Sequence, residues 1–302
     1  MNDHNISRRT AIGGALLAAG TGMASGCSFG QTTAHKLDLE DPASRARIRA
    51  KIQGSAAEET LHGLAQLDLY AYLNDGNAIP LCTMWNYTVT KWRPESETSY
   101  SMRHYESGIY TKFNTDEVLE VWDNPVTGEQ REVWPFIGGP IKGELGPDGM
   151  VTGENATVKP ESLGIQVIGD KVFVPSQSGF SFPNPFSAEQ WPKESAGPVF
   201  YWDSFATVSA LLKEVADPSL DRVNSTLQFQ NLVSWHPWFG MGDRGGRSFG
   251  RAFGTKLAGG FDALPKFLQV GLEKQTPEIL DVEGWDVFRN DFADYMQARK
   301  PT

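Results

Sequence analysis

From Glu59 to Trp134 the chain is a succession of short alternating runs separated by turn residues, and few folds accept that pattern. Leu67, Leu69, Ala71 and Leu73 alternate with Asp68, Tyr70 and Tyr72, so one face of an extended segment is apolar and the other mixed. Asn74-Asp75-Gly76 is a strong hairpin turn. In Pro80–Trp92 one face carries Leu81, Thr83, Trp85, Tyr87 and Val89, and the other Cys82, Met84, Asn86, Thr88 and Thr90. Thr98–Glu106 and Gly108–Asn114 follow, and then Val118–Trp122 and Gln130–Trp134 flank a proline-bent loop. Six strands joined by tight turns predict an antiparallel meander.

The remainder adds helices to this sheet. Asp41-Pro42 places an N-cap and a first-turn proline at the head of a helix ending at Gly54. Its Arg45, Arg47, Arg49 and Lys51 read as a solvated face. Ile137–Pro160 reads as a long Gly-rich connection with strand pieces, and Gly164–Ile168 with Lys171–Pro175 as a hairpin. The aromatics and prolines of Ser176–Gly197 predict an irregular loop. Asp203–Ala216 has apolar residues at helical spacing behind a capping Asp, Leu227–Ser234 reads as a strand, and Leu264–Lys274 and Asp281–Lys300 read as helices. The expected fold is α+β and mainly β: a strongly bent antiparallel meander or partly closed barrel with helices packed on one side.

Residues 1–26 read as an export leader. Ser7-Arg8-Arg9-Thr10 precedes a small-residue apolar run from Ala11 to Ala24, shorter than a membrane span. The arginine pair fits the twin-arginine route, and a general secretory signal with two ordinary arginines is the other reading. Ala24-Ser25-Gly26-Cys27 resembles a lipoprotein cleavage site; lipidated Cys27 would then be the sole membrane attachment, and ordinary cleavage nearby would leave none. Residues 27–40 form a tether and 41–300 a single β-rich domain. The partners implied by the leader are the export machinery and, through Cys27, the membrane. Cys82 is flanked by apolar residues and reads as a buried, inert thiol. A net charge of −10 lacks the basic footprint of a nucleic-acid binder.

Val233–Lys256, VSWHPWFGMGDRGGRSFGRAFGTK, fits neither a helical period nor a strand alternation, and its rings and glycines predict a loop covering a pocket. The histidines have no compact ligand spacing, no Gly-x-Ser-x-Gly elbow exists, and the glycines lack the phosphate-loop ending, so no metal or other cofactor is expected. Tyr100, Met102 and His104 share a face, and His104 is the candidate acid or base. His236, between Trp235 and Trp238, is a second proton or orienting group. Arg244 or Arg247 would anchor an anion, and Trp85, Trp235 and Trp238 would wall the site. Against these stand plainer roles: a core histidine, a packed aromatic corner and surface ion pairs. The ligand expected is a small apolar or aromatic molecule, handled by a cofactor-independent isomerase or lyase. The alternative is a non-catalytic envelope lipoprotein, either a ligand carrier or a protein-interaction module.

Two stretches carry a family likeness: Val121-Trp122-Asp123-Asn124-Pro125-Val126-Thr127-Gly128-Glu129, and Trp235-His236-Pro237-Trp238-Phe239-Gly240-Met241-Gly242 with the Gly-rich run after it. With them the chain resembles the domain-of-unknown-function family 1838 over roughly Leu39 to Ala298. A twin-arginine-type leader is similar to those of its bacterial members. The resemblance implies no activity and assigns no catalytic residue.

Overall fold

The computed structural model describes residues 37–74, 76–152, 161–162 and 164–300, so the expected leader and most of the expected tether lie outside the described residues. In chain order, α1 (Pro42–Gln53) precedes β1 (Glu59–Leu73), β2 (Ile79–Ser96), β3 (Ser99–Thr111), β4 (Val121–Asp123), β5 (Gln130–Glu132), β6 (Phe136–Gly146) and β7 (Gly149–Thr152). Then come β8 (Glu161–Ser162), β9 (Gln166–Ile168), β10 (Lys171–Pro183), β11 (Val199–Leu211), α2 (Leu212–Val215), β12 (Ser225–Val233) and β13 (Gly246–Lys256). The chain finishes with α3 (Lys266–Gln275), β14 (Arg289–Asn290) and α4 (Asp291–Ala298).

The main sheet is antiparallel, in the order β14-β6-β3-β2-β1-β13-β12-β11-β10-β8, and curls through 249° into a half-barrel. Two meanders, β1-β2-β3-β6 and β10-β11-β12-β13, meet where β1 pairs with β13 from Gly63↔Lys256 to Leu73↔Gly246. At this seam β1 turns Gly63, Ala65, Leu67 and Leu69 inward, facing Gly254, Ala252 and Gly250 of β13, while β13 turns Arg247, Phe249, Arg251 and Phe253 outward. The small inner residues of β13 let the strands bend toward the concave side.

The sheet corrects two expectations. Within Val233–Lys256 only residues 234–245 are irregular; Gly246–Lys256 is a strand whose alternation is small/large, not apolar/polar. Asp203–Ala216 is not a helix: it is β11 followed by one turn of α2. Ser204, Ala206 and Val208 line the interior, and hydrogen bonding to β10 and β12 on both sides outweighs the helical spacing. The Ser176–Gly197 loop starts only after Pro183, because Ser176–Pro183 completes β10. Of Asp281–Lys300, only Asp291–Ala298 is α-helical.

α1 spans the opening of the half-barrel. The Asp41 carboxylate accepts from Ser44 N at 2.8 Å, and the helix stops at Gly54, where a Cβ would lie 2.0 Å from the Trp92 indole. Ala46 and Ala50 pack on Trp92, Tyr100 and Leu145; Ile48 and Ile52 pack on Val172, Val174 and Ala210. Its basic residues are not all solvated. Lys51 Nζ donates to the Glu214, Val215 and Asp217 carbonyls at the end of α2, and Arg49 Nε donates to Pro147 O. The α2 carbonyls attract a cation there. α3 covers the convex face of β2 and β3, with Leu268 and Leu272 on Tyr87, Tyr105 and Ile109. The far end of the barrel is filled by Trp122, Phe186, Trp191, Trp235, Trp238, Phe239 and Tyr295.

Candidate functional site

Between α1 at one end and this aromatic plug at the other, the concave face encloses two joined lobes of about 530 and 310 Å³. Ala65, Asn86, Thr88, His104, Leu227 and Phe229 line both, so His104 stands at the waist of one channel. Volumes of this order suit a small organic molecule.

The strand pleat places the polar groups. His104 and Glu106 project from the same face of β3, opposite Thr90 and Thr88 of β2. His104 Nδ1 shares a hydrogen bond with Thr90 Oγ1 at 2.8 Å, which leaves the other ring nitrogen for the cavity. Burial lowers its pKa, and the Glu106 carboxylate opposes that shift. Asn86 Nδ2 donates to Glu106 Oε2 at 2.9 Å, and Asn86 Oδ1 is buried with no partner.

His236 and Asn231 face the smaller lobe from the opposite side, together with Trp202 and Phe229. Burial pushes the His236 pKa down to about 4, so the ring is neutral at neutral pH. Its Nδ1 has no partner, nor has Asn231 Oδ1, although these side chains are only 6 % and 4 % exposed. At Gly250 a Cβ would lie 2.3 Å from Asn231 Oδ1; the glycine makes room for that amide. Unpartnered buried polar atoms are uncommon, and several around one cavity mark a place where a ligand or water can pair with them.

The loop bearing His236 is a plug, not a lid over the concave face. Pro237 starts a single 3-10 turn, Phe239 N donates to His236 O at 2.9 Å, and Gly240 leaves it with φ +64°. A side chain at Gly240 would be strained and would meet the Arg131 guanidinium at 2.7 Å. Asn124 Nδ2 donates to Phe239 O at 2.8 Å, Arg131 Nε donates to Trp238 O, and Gly242 N donates to Lys193 O. Arg131 is held in turn by the buried Glu194, at 2.7 Å. The Trp122 ring packs on Trp238 and Phe239.

Of the residues singled out from sequence, His104, His236 and Met102 line the channel. The others do not. Trp85 lies on the convex side, edge-on to Phe267, because it belongs to the opposite pleat from Asn86. Tyr100 is on the His104 face but packs under α1. Trp235 and Trp238 belong to the aromatic plug behind His236, with Trp235 Nε1 donating to Arg244 O. Arg244 is exposed, and Arg247 lies on the outer face over the Tyr201 ring, near Asp203 at 3.8 Å. Neither lines the cavity: Arg244 lies in the exposed loop before β13, and alternation along β13 turns Arg247 outward.

Sequence reasoning missed Glu106, Asn86, Thr88, Asn231 and Trp202. The signal for Glu106 was present, two residues beyond His104 on one strand face. Asn86 and Thr88 followed from taking the face of β2 opposite Trp85. Asn231 gave no signal, since only the β1–β13–β12 curvature turns it inward. Among the described residues no group of three or more His, Cys, Asp or Glu is placed to hold a metal ion. Cys82 is buried, and burial pushes its thiol pKa up, as suits an inert core residue.

Residues 65–284 match the model of a family described as "Protein of unknown function (DUF1838)", and the chain belongs to that family. The match spans the inner strands, the Asn124 turn and the His236 plug. No curated protein matches the chain.

Proposed function

We propose that this member of the DUF1838 family is an exported protein that encloses a small molecule with an apolar or aromatic body in its half-barrel. We further propose that it acts there as a cofactor-independent isomerase or lyase. The observation that carries this reading is the placement of His104 and His236, from distant parts of the chain, on one lobe with two unpartnered asparagine oxygens. Neutral imidazoles can each accept or donate a proton at different nitrogens. His104, tied to Thr90 and with Glu106 opposing the effect of its burial, is the base and would remove a proton from a bound carbon acid. His236 has too low a pKa to hold that proton at neutral pH; it would orient the substrate through one hydrogen bond. The leader pattern of residues 1–26 supports export, with Cys27 as the point of membrane attachment if it is lipidated.

The alternative is a ligand carrier without chemistry. The burial that lowers the His104 pKa favours it, because it weakens the one base the enzyme reading has. Mass spectrometry of small molecules released from natively purified protein identifies the occupant, and turnover of that molecule is then compared for wild type and His104→Ala. Loss of turnover with retained fold supports the enzyme. Full turnover in the variant removes His104 from the chemistry, and a cavity that releases nothing and admits no xenon removes the binding role as well.

A further inference from the structure

We propose that the polar end of the enclosed molecule is an ammonium group, so that the ligand is a small amine with an apolar or aromatic body. The inference rests on the cavity reading above and narrows it. Glu106 is the one charged group among the described residues lining the smaller lobe. None of the described ion pairs involves it, so its carboxylate has no lysine or arginine partner there. Its described side-chain hydrogen bond comes from Asn86 Nδ2, and that bond fixes the amide so that Asn86 presents Oδ1 as a free acceptor. Asn231 Oδ1, almost wholly buried on the facing wall, also lacks a partner. Glu106 thus sets an acceptor-only anion in the lobe with no described cation beside it.

Among the described residues, no cation lining the channel is free to meet an anion. Lys256 lines the larger lobe, but its three N–H donors go to the carbonyls of Lys51, Gly54 and Val223. A carboxylate or phosphate ligand would sit near Glu106 without a counter-charge, which burial makes costly. An ammonium brings the positive charge and the donors that the Glu106 carboxylate lacks. Tyr110, Phe136, Trp202 and Phe229 supply ring surface around it.

Calorimetric titration of the purified protein at neutral pH with phenethylamine, phenethyl alcohol and phenylacetate compares three polar ends on one apolar body. The expected result is binding of the amine at least about tenfold tighter than the alcohol, with the carboxylate weakest. Glu106→Gln, which keeps an acceptor for Asn86, is expected to bring the amine down toward the alcohol. Equal or tighter binding of the alcohol or the carboxylate by wild type overturns the amine assignment while leaving the cavity reading intact. An amine preference that survives in Glu106→Gln overturns it too. Binding of none of the three also overturns it, and xenon diffraction then decides whether the cavity reading falls with it: xenon in the lobes keeps that reading, and empty lobes end it.

Discussion

Asn124 donates to the main-chain carbonyl of Phe239 over 2.8 Å, joining a hairpin turn to the plug that presents His236. The same side chain accepts from Val126 N and Thr127 N, so it orders its own turn while holding the plug. The two stretches that carry the family likeness are therefore one structural unit closing one end of the cavity. Asn124→Ala removes all three bonds and strands a buried carbonyl. It is expected to cost about 2–3 kcal/mol in urea unfolding and to weaken ligand binding, although Asn124 does not line the cavity.

Stability should fall on mild acidification because of His236. Its folded pKa, about 4, is below the 6.5 of a free imidazole, so the unfolded chain takes up the proton first. The stability this group contributes is complete above pH 6.5 and lost as pH falls to about 4, a change of about 3 kcal/mol. His236→Phe, which keeps a ring against Trp202 and Phe239, should flatten that part of the pH–stability curve measured by urea melts. An unchanged slope would show that another group sets it.

Asp291 should act with the opposite sign. Burial, with Glu106 adding to it, raises its pKa from 3.8 to about 7, so the folded chain holds the proton that the unfolded chain releases. Its stabilising contribution is complete below pH 3.8 and lost as pH rises through about 7. Asp291→Asn keeps an acceptor for Phe292 N and is expected to be more stable than wild type above pH 7, with the difference vanishing in acid. Thermal melts across that window check it.

Filling the waist of the channel should block binding without unfolding the protein. Ala65 lines both lobes, and Ala65→Leu puts three more carbons into space a ligand would occupy. The expected result is loss of any bound small molecule with a melting temperature within a few degrees of wild type, since added carbons there meet a cavity and not packed core. Retention of the ligand by this variant would place its site elsewhere.

The architecture was legible where sequence alternation was polar against apolar, as in β1 and β2, and where a turn or cap has its own chemistry, as at Asp41-Pro42. It was not legible in β13, which alternates by size with glycine, serine and alanine inside and phenylalanine and arginine outside, nor in β11, where Phe205, Val208 and Leu211 recur at helical spacing. The first pattern resembles a Gly-rich loop and the second a helix. The site divides the same way. His104 could be located from its own strand, and His236 from its singular setting between two indoles. Asn231 owes its role to the register of β12 against β13, where Asn231 pairs with Gly250, a relationship that no local window contains.

The pairing of β1 with β13 has a consequence for how the chain reaches this state. β1 is complete by Leu73, yet one of its two edges stays without a partner until Gly246–Lys256 has been made. For most of synthesis the nascent protein thus carries a long, exposed strand edge rich in Leu and Tyr, the kind of edge that recruits other chains. The two meanders can therefore be joined only late in synthesis. A product cut short between Gly146 and Gly246 is expected to aggregate, even though it contains every residue of the β1-β2-β3-β6 meander and the whole of the Asn124 turn.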